Sequence, residues 1–311
     1  IGFAVFLMTL LRGLYQGWNN KIGGWVAQVD ADVWGMRQGA TDFINAASIL
    51  PTDKVQAVED SDGVAAAYPL IVRPMLFYNG EKETVMHLVG YGTGAGGDES
   101  PGGPAGCAKG DCTPEGNQIV VDEALASTRG VQIGDVLRSG DTRIDVIGIS
   151  KGGNFAFTTA GFMEIGAVQA FLEEMDGLTT FIIVQMEPGA DIEAWMTGIE
   201  QEDPNVAAYS RKEFTDNTRD RILKNILPII ALIVGIAFVV GIAITSLTIY
   251  TATVEKTREF GVMKAIGFNN VDLFKLVVIQ SLLIGLLGFI FGTALTLILS
   301  QFIDSIVPQF I

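Results

Sequence analysis

Two stretches of this chain contain no charged residue: the run between Lys224 and Glu255, and the run between Lys275 and Asp304. Hydrocarbon offers no hydrogen-bond partners, so an apolar run this long must satisfy its own backbone, and a helix of roughly 20 residues spans the bilayer core. Both runs are therefore expected to be transmembrane helices. A third apolar run, Ile1–Leu11, ends at Arg12 and resumes with Leu14, Tyr15 and Trp18, an aromatic pattern typical of a membrane interface. Residues 1–24 read as a first span whose beginning precedes Ile1, with a signal-peptide core as the alternative.

Composition becomes informative once these runs are set aside. Residues 21–220 hold 13 Lys/Arg against 31 Asp/Glu, a net charge of −18 in a chain whose total is −15. The 251–275 segment concentrates four cations, Lys256, Arg258, Lys264 and Lys275. Cation-rich loops stay cytoplasmic, so 251–275 is expected inside and the acidic part outside. An acidic surface repels phosphate, which argues against nucleic acid as a partner. The single histidine, His87, reads as an ordinary surface or half-buried residue.

The acidic part reads as a mixed α/β domain over 25–210. Strands are expected at Asn117–Val121, Arg143–Ile149 and Phe181–Met186, and helices at Asp122–Thr128, Gly166–Met175 and Asp191–Glu200, the last capped by Asp191. No nucleophile elbow or metal-ligand spacing occurs, and the glycines of 92–97 lack the Lys-Ser/Thr ending of a phosphate loop. No catalytic, cofactor or metal site is expected. Cys107 and Cys112 lie in a Gly/Pro-rich loop; outside the membrane they can pair as a disulfide, with free thiols or a metal site as alternatives.

Helix-spaced charges from Arg211 to Arg221 lead into the second span, so 211–250 reads as one helix whose first turns form a stalk. Small residues at Ala231/Gly235, Ala237/Gly241/Thr245, Ser281/Gly285 and Gly288/Gly292 have the spacing of close-packed helices. Residues 251–269 are too regular for a slack linker. The apolar side chains of Phe260, Val262, Met263 and Ile266 spread around a short helix, which calls for burial on more than one side. Gly267 suits a helix C-terminus, and Asp272 sits where the 270–303 span begins.

The run VEKTREFGVMKAIGFNNVDLFKLVVIQSLLIGLLG resembles the hallmark of FtsX-like, MacB-type ABC transporter permeases. IVVDEALASTRGVQIGDVL with RIDVIGIS is similar to that family's outer domain, and VDADVW and ISKGGNFAFTTAGF are similar to its DevC/HrtB branch. The resemblance implies an α-helical bundle with an inserted α/β extracytoplasmic domain, in the bacterial cytoplasmic membrane. It implies a second permease copy, surrounding lipid, and a cytoplasmic ABC ATPase dimer that binds ATP and Mg. It makes Glu255, Lys256, Arg258, Glu259, Phe260, Gly261, Met263, Lys264, Ile266 and Gly267 the ATPase-coupling segment. A family member carries a fourth span, expected beyond 304–311. The implied function is export of a hydrophobic or amphiphilic cargo (haem, lipid or lipopeptide), with Arg12, Tyr15, Trp18, Glu213 and Arg219 as the candidate cargo site. The alternative within the family is an FtsX-like transmitter of force to cell-wall hydrolases.

Overall fold

The computed structural model describes residues 2–44, 48–92, 100–155 and 158–306. The described residues form two compact units, an α/β unit over 18–223 and a helical unit built from 2–17 and 224–306. In chain order the helices are α1 (Gly2–Lys21), α2 (Gly24–Gln28), α3 (Asp53–Glu59), α4 (Glu123–Arg129), α5 (Ile165–Phe171), α6 (Ile192–Glu202), α7 (Arg211–Glu255), α8 (Thr257–Ala265) and α9 (Asn270–Ile306). The strands are β1 (Val33–Arg37), β2 (Leu50–Pro51), β3 (Val64–Asn79), β4 (Lys82–Tyr91), β5 (Gly106–Gly110), β6 (Gln118–Asp122), β7 (Val136–Ser139), β8 (Thr142–Lys151), β9 (Ala160–Glu164), β10 (Leu178–Thr179), β11 (Phe181–Met186) and β12 (Val206–Ser210).

Among the described residues the main sheet runs β12-β1-β11-β3-β4-β9-β6-β8-β5, with β7 bridging β3 and β8. Its pairings are antiparallel except β4 with β9 and β6 with β8. Side chains alternate between faces along a strand, and both faces are covered. Phe181 and Ile183 of β11 therefore enter an aromatic core on one face, while Ile182 and Val184 enter a second core on the other. Leu70 and Val72 of β3 likewise oppose Ile71, and Phe162 of β9 opposes Met163. Burial on both sides explains why β11 is continuously apolar over its first four residues, Phe181 to Val184, rather than alternating.

The aromatic core receives both ends of the inserted domain. Trp25 of α2 packs on Trp34, Phe43, Phe155 and Phe162, at ring-centroid distances of 6.2, 5.0, 6.0 and 6.1 Å. Phe214, in the first turn of α7, sits 5.1 Å from Trp34 and 5.6 Å from Phe181. Trp25, Trp34, Phe181 and Phe214 are buried. Truncating Phe214 to Ala should destabilise the α/β unit by about 3–5 kcal/mol, read from urea unfolding followed by tryptophan fluorescence.

Several sequence expectations shift in detail. The expected helix over Gly166–Met175 is shorter: α5 spans Ile165–Phe171, and a separate 3₁₀ turn takes Glu173–Met175. Asp122 is a cap rather than a helical residue, because its side chain accepts from Ala124 N and α4 starts after it. Asp191 caps α6 through Ala194 N at 3.1 Å. The second long helix continues past Tyr250 to Glu255 and contains Pro228, a residue that the charge-free pattern does not register. The third reaches Ile306. Of the glycine motif at 92–97, residues 93–97 lie outside the described set.

In the helical unit, Pro228–Glu255 and Asn270–Leu299 are long and apolar enough to cross a membrane. α1 packs on α9 through Gly292, where an added Cβ would stand 2.5 Å from Gly2 O and 2.9 Å from Phe6 N. One and a half turns on, Thr9 and Thr296 share a 2.6 Å hydroxyl–hydroxyl hydrogen bond. The small-residue spacing is thus used selectively: a Cβ at Gly235 or Gly285 would meet nothing within 4 Å. Gly292→Leu should separate α1 from α9, seen as loss of cross-linking between Thr9→Cys and Thr296→Cys, whereas Gly285→Leu should leave it intact.

Candidate functional site

The segment between the long helices is built from two reciprocal backbone caps. α8 ends in a Schellman motif: Gly267 takes φ +109°, Gly267 N donates to Lys264 O at 3.1 Å, and Phe268 N donates to Met263 O at 3.1 Å. Gly267 is favoured there because a Cβ opposes left-handed backbone. α9 then opens on Asn269, whose Oδ1 accepts from Val271 N at 2.8 Å and Asp272 N at 2.9 Å. Asp272 Oδ2 in turn accepts from Asn269 N at 3.4 Å, completing a capping box. Sequence reasoning placed Asp272 at this boundary but missed Asn269 as the cap, although Asn-x-x-Asp was legible.

These caps fix how α8 presents its faces. Phe260 and Met263 are half-buried. Phe260 lines a cavity of about 370 Å³ in the helical unit, together with Thr253, Val277 and Gln280. Val262 and Ile266, one turn apart, are 59% and 71% exposed. Arg258, one turn before Val262, is also exposed, as are Glu255, Lys256, Glu259 and Lys264. Among the described residues no ion pair is formed by Lys256, Arg258 or Lys264. Gly261 has no atom within 4 Å of the position its Cβ would take, so packing within the chain does not require a glycine there. The result is an exposed face that mixes apolar and cationic groups around a backbone open to close approach.

The candidate cargo residues fall into separate settings. Arg12 is exposed and Tyr15 half-buried on α1 of the helical unit, and the side chain of Trp18 lies outside the described set. Glu213 and Arg219 belong to the part of α7 in the α/β unit, where both have local partners. Glu213 N donates to Ser210 Oγ at 3.3 Å, which caps α7, and the same hydroxyl lies 3.5 Å from the Glu213 carboxylate. Arg219 pairs with Asp216 at 3.2 Å, and Lys212 pairs with the same carboxylate at 2.8 Å. The Lys212 hydrogen bond, helped by the charges of Lys212 and Arg219, holds the Asp216 carboxyl below its usual range. Among the described residues no cluster of His, Cys, Asp or Glu is arranged to hold a metal ion.

A group of residues that sequence reasoning did not single out anchors α7 in the sheet. Arg211 lies 3.6 Å from Asp32 and donates its backbone N–H to Asp32 O at 3.0 Å. Asp32 Oδ2 also accepts from Met186 N at 2.9 Å. Thr218 Oγ1 accepts from Phe43 N at 3.1 Å. Gly23, at φ +76°, brings α2 against α7 so closely that a Cβ would lie 3.1 Å from Thr215 O. The VDADVW run thus helps to fix where α7 begins.

Cys107 and Cys112 form a disulfide with Cα atoms 5.8 Å apart. It lies at the edge of the sheet, where among the described residues β5 pairs with β8 alone, through a bulge. Thiol labelling of the unreduced protein should leave both residues unmodified, and reduction should expose both.

Two buried titratable groups oppose each other in pH response. His87 is buried on β4, with Nδ1 3.0 Å from Thr158 Oγ1 and Nε2 3.4 Å from Ile44 O; burial pushes its imidazole below the usual value. Asp122 is 1% exposed and accepts from Ala124 N at 2.9 Å and Gly153 N at 2.8 Å, yet burial raises its carboxyl to about 6. The folded state therefore holds the Asp122 proton more tightly than the unfolded chain does. The contribution of Asp122 to stability is greatest below pH 4 and declines by about 3 kcal/mol as pH rises through about 6. Asp122→Asn should remove that share of the slope. Unfolding of the two proteins compared from pH 4 to 7 measures it, and parallel slopes would contradict it.

Comparison with known proteins places this geometry. Residues 1–202 match the MacB-like periplasmic core domain, and residues 231–311 match the FtsX-like permease C-terminal region. The chain belongs to the FtsX-like, MacB-type permease family. An uncharacterized ABC transporter permease of Methanocaldococcus jannaschii is 26% identical over 57% of this chain and 46% of its own length. One from Mycobacterium tuberculosis is 25% identical over 95% of this chain and 79% of its own. The putative hemin transport system permease HrtB of Staphylococcus epidermidis is 24% identical over 62% of this chain and 52% of its own. The chain thus spans about half the length of two of these relatives. The extracellular domain of the noncanonic ABC-type transporter YknZ from Gram-positive bacteria aligns with 58% of this chain and 99% of its own, at 12% identity and TM-score 0.43. Membership of this family, together with the two long apolar helices, makes the chain a membrane protein with a periplasmic-type domain.

Proposed function

We propose that this chain is the membrane subunit of an ABC-type exporter, in which two copies pair with a cytoplasmic ATPase dimer. The observation that carries this reading is the exposed face of α8, with Val262 and Ile266 beside Arg258 and the open backbone at Gly261. An apolar patch edged by charge is the usual make-up of a docking surface. ATP and Mg belong to the partner, and this subunit does no chemistry of its own. The Lys/Arg-rich 251–275 segment supports a cytoplasmic position for α8 and an extracytoplasmic one for the α/β unit, in the bacterial cytoplasmic membrane.

The charge-free spans carry no ionisable group for a proton or ion path. A groove of about 290 Å³ between α1 and α7 is walled by Phe3, Leu7, Ile233, Ile236 and Val240. An apolar wall suits a hydrophobic or amphiphilic cargo taken from the outer leaflet. Similarity to a putative hemin transport permease makes haem one such cargo, with lipid or lipopeptide as others. Arg12 and Tyr15, toward the outer end of α1, are the residues proposed to meet its polar group.

Val262→Asp together with Ile266→Asp should release the ATPase and abolish cargo-stimulated turnover at least tenfold, while the unfolding of the α/β unit stays unchanged. Retained ATPase binding by this variant would refute the docking face. Cargo stimulation itself decides the activity: turnover that responds only to an extracytoplasmic protein, and to no lipophilic compound, would replace export with force transmission to cell-wall hydrolases.

A further inference from the structure

A cleft of about 970 Å³ opens in the α/β unit, and none of the residues assigned above to the ATPase or to the cargo lines it. That is the size of a small-molecule site. It lies near the ends of three neighbouring strands, with Asp122 from β6, Ile149 from β8 and Lys109 from β5 in its wall. Trp25, Val131 and Ile149 supply apolar surface, and Ser127 of α4 supplies a hydroxyl.

The charge of the cleft is divided. Asp122 and Glu123 stand together where β6 enters α4, and both line it. The Asp122 carboxylate is held by Ala124 N and Gly153 N, at 2.9 and 2.8 Å. Those bonds orient it but bring no positive charge. Burial raises its carboxyl to about 6 and outweighs the attraction of Lys21, which also lines the cleft. A buried carboxylate is costly until a cation meets it. Lys109 is exposed, and the loop that carries it is closed by the Cys107–Cys112 disulfide. Among the described residues no ion pair is formed by Asp122, Glu123 or Lys109.

Strand register sets the distance between these charges. β6 and β5 flank β8, with Asp122 opposite Ser150 and Lys109 opposite Ile149. Two inter-strand steps put the backbone positions of Asp122 and Lys109 about 10 Å apart. Three residues of extended chain reach about the same distance. We propose that the cleft binds a short zwitterion of tripeptide length, its ammonium on Asp122 and Glu123 and its carboxylate on Lys109. The disulfide keeps the cationic wall in place before the ligand arrives, which lowers the cost of ordering it. The cleft is built by the α/β unit alone, so the site does not rest on the exporter reading.

The test titrates the full chain, in dodecyl maltoside at neutral pH, with trialanine by isothermal calorimetry. Trialanine should bind with a Kd of about 1 mM or tighter. N-acetyl-trialanine lacks the ammonium and trialanine amide lacks the carboxylate, and each should bind at least tenfold more weakly. Lys109→Gln should make trialanine and its amide bind alike, while the loss on acetylation persists. Ser127→Phe, at an exposed position, should fill the cleft and abolish binding. No binding of trialanine, or binding that capping either end leaves unchanged, would overturn the site. These two measurements need only the native protein, so a variant that fails to fold does not spare the proposal. Undiminished binding in Ser127→Phe would put the ligand elsewhere and overturn it too. Phosphoethanolamine, the shorter zwitterion of a lipid headgroup, should bind at least tenfold more weakly than trialanine. Equal or tighter binding would overturn the tripeptide length and make the cleft a headgroup site.

Discussion

The seating of Phe214 between Trp34 and Phe181 is the contact on which the rest of the α/β unit's connection to its helices depends. That one ring joins the start of α7 to the centre of the sheet. Trp25 joins the segment after α1 to the same aromatic core from the other side. The two places where the chain enters and leaves the domain therefore share one packed interior. Interiors are dense and transmit strain rather than absorb it, so displacement of one chain end is felt at the other.

Electrostatics plays a secondary part. The ion pairs of Arg211, Lys212 and Arg219 are largely exposed, and such pairs contribute little to stability. Their value is directional, because Asp32 also binds the backbone of Met186 and so fixes where α7 begins. The acidic surface is mostly solvated. It bears on solubility rather than shape.

What was legible in the sequence was local. The strand Phe181–Met186 and the Asp191 cap depend on neighbouring residues only, and the structure has both. The charge-free runs revealed their helices because hydrocarbon permits little else. The anchoring pair Asp32 and Arg211 was not legible, since nothing near either residue marks its distant partner. Glycine seams were half legible: Gly235 and Gly292 look alike in sequence, and only tertiary packing assigns a neighbour to Gly292 and none to Gly235. Pro228 was overlooked for a different reason. A search for missing charge weighs side-chain polarity and ignores the missing N–H that matters for a helix.

The turn between α8 and α9 closes its own backbone. Gly267 and Phe268 return their N–H groups to α8, while Asn269 and Asp272 satisfy each other at the head of α9. A loop that needs no outside hydrogen bonds remains folded when nothing is docked on it. A partner docking on α8, as proposed above, would thus meet a preformed surface and would not carry the entropic cost of ordering a chain segment. Exchange of such a partner would then be limited by encounter rather than by refolding.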